Sequence, residues 1–236
     1  MQAPERKSIT IKNIGIQPYK KVWDYQKELQ RKLVEGLAPE TLIVCEHPPV
    51  ITLGTSAKPE NVILEKSKLA DLGIEVYKTE RGGDVTCHMP GQIVLYPILD
   101  LHLHKTDVAW YMRSLEEAII RTLEIYDIKG TRIAGKTGVW VPDDNKTGFS
   151  KIASIGVRIS RWRTMHGLAL NIKDCTEIFK YINPCGYKDI EISEMQRMTE
   201  INLDKNEVTN NLIKCLLAVF NFDEQIEDNS FETEQL

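Results

Sequence analysis

The sequence predicts an α+β fold, a mixed β-sheet with flanking helices, and three observations carry the prediction. Short apolar, strand-like runs crowd the first hundred residues. One long amphipathic helical pattern follows Thr106, and further strand-like runs then lead to a closing helix at Glu207 to Phe220. Strands, a helix, strands again and a helix give a mixed sheet covered by helices rather than the regular alternation of a doubly wound fold. The chain of 236 residues is long enough to bury a real core, with 42% hydrophobic and 27% charged residues.

Ser8 to Ile14 reads as the first strand. Pro18 opens a helix with apolar residues at Tyr19, Val22, Trp23, Leu29 and Leu33, and Gly36 stops it. Thr41 to Cys45 (TLIVC) is apolar throughout, the mark of a strand buried on both faces, and Pro48-Pro49 interrupts it. Val50 to Leu53 continues as a strand into a turn at Gly54, and Ile74 to Lys78 and Gln92 to Pro97 are further strands flanking a loop that starts at Arg81. Thr106 is the expected N-cap of the helix marked by Val108, Tyr111, Met112, Leu115, Ala118, Ile119 and Leu123. Gly138 to Val141, Lys151 to Ile159 and His166 to Ile172 complete the strands. A single domain is expected over residues 1–222, with a boundary for a small C-terminal part near residue 183.

Charge and cysteine usage narrow the function classes. The net charge is −4, yet Asp223 to Leu236 holds six acids and no Lys or Arg. The 30 basic residues outnumber the remaining 28 acids by two, so the body offers no broad basic stripe for nucleic acid. Residues 223–236 are expected as an acidic, flexible tail. No apolar run approaches the length of a membrane helix, and the MQAPERKSIT start has no apolar signal core. The five cysteines are scattered without paired spacing, which points to a reducing, cytoplasmic compartment and to thiols that are either buried or reactive.

Four short patterns carry chemistry. Gly130 to Thr137 (GTRIAGKT) matches a phosphate loop in letters, but a strand ending at a proline follows it where a helix is needed, so an ordinary glycine turn is expected. His102 and His104 lack a converging third ligand and read as exposed histidines. Arg81 to Gln92 (RGGDVTCHMPGQ) packs Gly82, Gly83, Gly91 and Pro90 around Arg81, Thr86 and His88, groups able to hold a carbonyl or carboxylate, so it reads as a ligand loop. Asn183-Pro-Cys-Gly186 sets Cys185 in a turn that exposes its thiol, and a neighbouring Lys or His would make it a nucleophile.

Taken in order, CEHPPVITLG at Cys45, RGGDVTCHMPGQIVLYP at Arg81, GVWV at Gly138, KIASIGVRI at Lys151, TMHGLALNI at Thr164 and INPCGY at Ile182 resemble the lipoyl(octanoyl) transferase family. The resemblance runs from about Ile14 to Thr199 and implies a fold like that of lipoate and biotin protein ligases. It implies transfer of an octanoyl group from octanoyl-acyl carrier protein to a lysine of lipoyl domains, the first step of endogenous lipoate synthesis, with Cys185 as nucleophile and Lys151 as its proton-transfer partner. Arg81, Gly82, Gly83, Asp84, Val85, Thr86, Cys87 and His88, then Ser154, Ile155 and Gly156, then Gly167, Leu168 and Ala169, fall on the family's substrate-binding segments. The implied acceptors are lipoyl domains of 2-oxoacid dehydrogenase complexes and the glycine cleavage H protein. No cofactor, ATP or metal is implied, and neither nucleic acid nor membrane is a partner.

The chain departs from the family pattern TYHGPGQ at two places, with Cys87 for a tyrosine and Met89 for a glycine. A methionine at a position needing positive φ would be strained or would reshape the loop, and it could line or shorten the acyl tunnel. Cys87 beside His88 is a rival nucleophile in letters only, because neighbours in a strand face opposite ways. Arg158, Arg161 and Arg163 are expected as a basic rim for an acidic partner. The competing readings are an ATP-dependent lipoate or biotin ligase and a non-catalytic acyl-binding protein.

Overall fold

A computed structural model describes residues 7–143, 148–184, 190–228 and 230–231. Along the chain, β1 (Ser8–Ile16) and α1 (Tyr19–Val34) precede β2 (Thr41–Glu46) and β3 (Val50–Leu53). A 3₁₀ turn at Pro59–Asn61 and α2 (Lys66–Asp71) lead to β4 (Glu75–Lys78), β5 (Val85–His88) and β6 (Gln92–Ile98). After α3 (Val108–Glu124) come β7 (Thr131–Ile133), β8 (Lys136–Pro142), β9 (Phe149–Ser160), β10 (Arg163–Asn171), α4 (Lys205–Phe220) and β11 (Glu224–Glu227).

Eight strands form one mixed sheet in the order β11-β1-β2-β6-β10-β9-β8-β7, with β1 parallel to both neighbours and every other pairing antiparallel. The period of two sorts its side chains onto two helical layers. Leu42, Val44, Ile93, Leu95, Leu168 and Leu170 face α3 and α4, whereas Ile43, Cys45, Val94, Tyr96 and Ala169 face Val22, Tyr25, Leu29 and Leu33 of α1. The TLIVC run is apolar at every position because β2 is covered on both sides. α4 shares the core of the large sheet through Val208, Leu212, Leu216 and Phe220 rather than building one of its own.

A second sheet, β4-β3-β5, has its own core of Ile51, Leu53, Leu69, Val85 and Cys87, against which Ile178, Phe179 and Ile182 pack. The chain just before Cys185 is therefore seated on the small sheet.

Several expectations are corrected. The helix cap is Asp107, whose carboxylate accepts from Trp110 N at 3.0 Å, and not Thr106. His104 is no exposed loop histidine: its side chain is 1% exposed and pairs with both oxygens of Glu40 at 2.9 and 3.0 Å. The expected acidic tail begins as structure, since Glu224–Glu227 pair in parallel with β1 and Lys12 Nζ holds Asp228 at 2.6 Å. GTRIAGKT, by contrast, is the glycine turn expected of it, a β-hairpin from β7 to β8 through Gly135.

Candidate functional site

Three motifs that lie far apart in sequence meet where the two sheets face each other. β9 and β10 are antiparallel, and their register sets Gly156 opposite Gly167, Ile155 opposite Leu168 and Ser154 opposite Ala169. The Arg81–Asp84 turn lies across them, with Gly82 N donating to Val157 O at 2.8 Å and Thr86 Oγ1 to Ser154 Oγ at 3.5 Å. The crossing leaves little room for a side chain at Gly156: a Cβ there would lie 3.1 Å from both Arg81 Cδ and Gly82 O, close enough that one of them must shift. The convergence encloses a cavity of about 580 Å³, a size suited to a small ligand. Arg81, Gly82, Gly83, Asp84, Val85, Thr86 and His88 line it, as do Ser154 to Gly156, Gly167 to Ala169 and Lys151.

Cys87 does not line it. In β5 the side chains of Val85 and Cys87 enter the small-sheet core, and burial pushes the Cys87 thiol well above its usual range, which leaves it inert. Met89 likewise packs on the small-sheet core and not into the cavity, and its φ is not positive; the left-handed position of this turn is Gly91, at φ 93°. Met89 is thus neither strained nor a lining residue of the cavity, because the left-handed position falls two residues later, on Gly91.

Arg81 is spent largely on its own fold. Its guanidinium donates to Thr52 O at 2.6 Å, to Thr52 Oγ1 at 3.0 and 3.2 Å, and to Gly82 O at 3.1 Å, which fastens the turn to β3. Asp84 accepts from Asn61 Nδ2 at both oxygens and from Val85 N at 2.7 Å. Of the expected basic rim, Arg158 faces Glu80 at 3.5 Å and Arg163 pairs with Asp100 at 2.8 Å, so two of its charges are met within the chain.

Lys151 is buried in the wall of the cavity, 4% exposed, with Nζ 5.5 Å from the centroid of the Trp140 ring. A lysine is seldom buried this deeply for stability alone. Its backbone is clamped from across the chain: Lys151 N donates to Glu191 O at 2.8 Å and Ser193 N donates to Lys151 O at 3.0 Å. Asn171 Nδ2 holds the same segment through Ser193 O at 2.9 Å. Cys185 lies outside the described residues. The described residues that bracket 185–189, Pro184 and Ile190, both line the cavity that contains Lys151.

The inner end of the cavity is aromatic and polar. Tyr19 stacks on His88, with centroids 6.0 Å apart and planes at 11°. His47 Nδ1 donates to Gln17 O at 2.8 Å, which makes Nε2 the acceptor of the Tyr96 hydroxyl at 2.9 Å. His88 Nδ1 donates to Gln92 Oε1 at 2.6 Å, and Gln92 Nε2 donates to Asn171 Oδ1 at 2.8 Å. Among the described residues, the buried Trp140 Nε1 has no hydrogen-bond partner, while His166 Nε2 faces Glu80 Oε1 at 3.7 Å; both residues line the cavity. Orphaned buried polar atoms are rare in a purely structural core and common at ligand sites.

Burial lowers the pKa of His47 to about 4 and of His88 to about 3, so both rings are neutral at pH 7. The unfolded chain takes up these protons first, near pH 6.5. Their contribution is therefore intact above pH 6.5 and is lost as the pH falls from there towards the folded values. Each ring adds a slope of up to about 1.4 kcal/mol per pH unit in that window. Urea midpoints measured from pH 7 to pH 5 should fall in the native protein and fall less steeply in His88→Gln; parallel slopes would contradict the assignment.

Sequence reading missed Tyr19, Tyr96, Trp140, Asn61 and Asn171. Each sits in a strand, helix or turn whose letters look like ordinary core or turn; only tertiary pairing brings Tyr19, Tyr96 and Trp140 to the cavity, Asn61 to Asp84 and Asn171 to Ser193. Among the described residues, no group of three or more His, Cys, Asp or Glu is placed to hold a metal ion. No helix of the described residues is long and apolar enough to cross a membrane.

Comparison with known proteins shows the family. The family described as lipoyl protein ligase A/B catalytic domain matches residues 18–217. An octanoyltransferase of Cytophaga hutchinsonii is 40% identical over 233 residues, covering 93% of this chain and 96% of that protein. An octanoyltransferase of Christiangramia forsetii is 42% identical over 229 residues, covering 91% and 96%. Among solved structures, lipoate-protein ligase A bound with ATP superposes with a TM-score of 0.74 at 14% identity, over 97% of this chain and 90% of that one. The bipartite lipoate protein ligase of Thermoplasma acidophilum gives 0.71 at 13% identity, over 98% and 89%. At such identities the superpositions show the shared fold alone.

Proposed function

The chain belongs to the lipoyl protein ligase A/B catalytic family, as an acyltransferase that carries out octanoyl transfer in lipoate biosynthesis, and from that premise we propose that it works through a thioester on Cys185 assisted by Lys151. The observation that carries the proposal is the clamp on Lys151. Glu191 and Ser193 pair with the Lys151 backbone, while Pro184 and Ile190 line the same cavity. Residue 185 is the immediate chain neighbour of Pro184, which supports the pairing of this cysteine with the lysine.

In this reading the donor is octanoyl-acyl carrier protein and the acceptor a lysine of a lipoyl domain, in a 2-oxoacid dehydrogenase complex or the glycine cleavage H protein. The octanoyl chain occupies the cavity between the Arg81–Asp84 turn and the Ser154–Gly156 and Gly167–Ala169 stretches. A Lys151 cation near Cys185 favours the thiolate, which attacks the donor carbonyl. The carbon–sulfur bond to the phosphopantetheine arm breaks, and Lys151 delivers a proton to the departing thiolate. The acceptor amine then attacks the octanoyl-cysteine, Lys151 takes up the amine proton, and the amide forms as Cys185 leaves. Exchanging one thioester for another is nearly isoenergetic and amide formation from a thioester is downhill, so the cycle needs neither ATP nor a metal. Free thiols at Cys45, Cys87, Cys175 and Cys215 suit a cytoplasmic setting.

The experiment uses purified octanoyl-acyl carrier protein and an unmodified lipoyl domain without nucleotide. Octanoylation of the domain is expected. Modification that proceeds only from free octanoate with ATP would instead assign the chain to the ligase chemistry of its structural neighbours.

A further inference from the structure

Asn61 ends the 3₁₀ turn Pro59–Asn61 and is buried. Its carbonyl accepts from Asn183 N at 2.8 Å, two residues before Cys185. Its side-chain Nδ2 donates to both carboxylate oxygens of Asp84, at 3.0 and 2.8 Å. Asp84 lines the cavity, accepts from Val85 N at 2.7 Å, and through its carbonyl accepts from Gly54 N at 3.1 Å. Beside Asn61, Ile63 N donates to Tyr181 O at 2.9 Å and Val62 bridges Ile182. One residue thus joins the segment that leads into Cys185 to the glycine-rich turn on the cavity wall.

We propose that Asn61, acting through Asp84, is a positioning residue that fixes the Cys185 segment against the Arg81–Asp84 turn so that a bound acyl thioester meets the thiol in reacting geometry. The inference rests on Cys185 being the nucleophile. Asp84 is half-buried, and the Asn61 amide supplies two of the three hydrogen bonds that hold its carboxylate in one orientation. Loss of that amide lets the turn and the cysteine segment move independently. A misplacement of about 1 Å can cost on the order of a hundredfold in rate. The thiol itself, whose reactivity is set by its thiolate fraction, is not altered by such a shift.

The test compares two reactions of the same cysteine. Single-turnover acylation by octanoyl-acyl carrier protein needs the acyl group and the thiol in register, whereas alkylation of Cys185 by iodoacetamide does not. In Asn61→Ala, acylation should slow by about ten- to a hundredfold while alkylation stays within about twofold. Asp84→Asn, which is isosteric, should show the same split with a smaller loss. The exchange Asn61→Asp with Asp84→Asn reverses donor and acceptor in the same pair and should restore acylation to within about threefold of the native rate. Native-rate acylation in Asn61→Ala overturns the proposal, as does a parallel fall in acylation and alkylation that the exchange does not rescue. If Cys185→Ser is inert while Asn61→Ala acylates normally, only this inference fails. If Cys185→Ser keeps full transfer, the nucleophile assignment fails and this inference with it.

Discussion

Lys151→Met should lower octanoyl transfer by about 10²- to 10⁴-fold, the range by which a positioned acid–base group accelerates a reaction. Methionine keeps the length and apolar stem of the side chain and removes only the ammonium. Lys151 is buried beside the Trp140 ring, so the two proteins are compared well below the thermal midpoint of each and with matching circular dichroism. The loss therefore reports chemistry rather than folding. A second readout separates the two roles of the lysine. If its charge favours the Cys185 thiolate, the pH profile for alkylation of Cys185 moves upward in Lys151→Met towards that of a free thiol. Unchanged transfer together with an unchanged alkylation profile would remove Lys151 from the mechanism.

Cys185→Ser should be the more damaging change, with transfer reduced on the order of 10³-fold or more. Serine has nearly the same shape, but its hydroxyl is not the nucleophile that a thiolate is, and no base beyond Lys151 is proposed to activate it. Residues that act as one unit are non-additive, so adding Lys151→Met to Cys185→Ser should cost little further rate. Cys45, Cys87 and Cys175 offer no substitute nucleophile, since burial raises the thiols of Cys45 and Cys87 far above the usual range and that of Cys175 to about 12, and Cys215 on α4 does not line the cavity.

The elements were largely legible in the letters. TLIVC reads as a strand covered on both faces and is one, and Pro18 and Gly36 bracket a helix as their backbone preferences demand. What could not be read was register and long-range pairing. No periodicity in the chain says that Gly156 will stand opposite Gly167, or that Glu191 and Ser193 will hold the backbone of Lys151 some forty residues earlier. Those contacts follow from how the whole sheet closes. β11 was hidden for a related reason. Its four residues, two of them acidic, are all exposed and carry no apolar alternation, and the strand is formed by backbone pairing to β1 with the Lys12–Asp228 pair at its end. β5 was read as loop because VTCH is short, although its alternation is visible afterwards: Val85 and Cys87 enter the core while Thr86 and His88 line the cavity.

The candidate site divides along the same line. The motif residues that resemble a known family converge on one cavity, with Cys87 alone turned away from it and Cys185 outside the described residues. The supporting residues Asn61, Asn171, Trp140, Tyr19 and Tyr96 emerge only from the fold, because their roles depend on partners that neither spacing nor composition reveals.

The central claim is that the acyl group rests on Cys185 between donor and acceptor. Mixing the protein with octanoyl-acyl carrier protein, quenching in acid and mapping peptides by mass spectrometry tests it directly. The account predicts one octanoyl group on Cys185, labile to hydroxylamine, that disappears as added lipoyl domain becomes octanoylated. Transfer to the lipoyl domain with no adduct on Cys185, or with the acyl group on another residue, would contradict it.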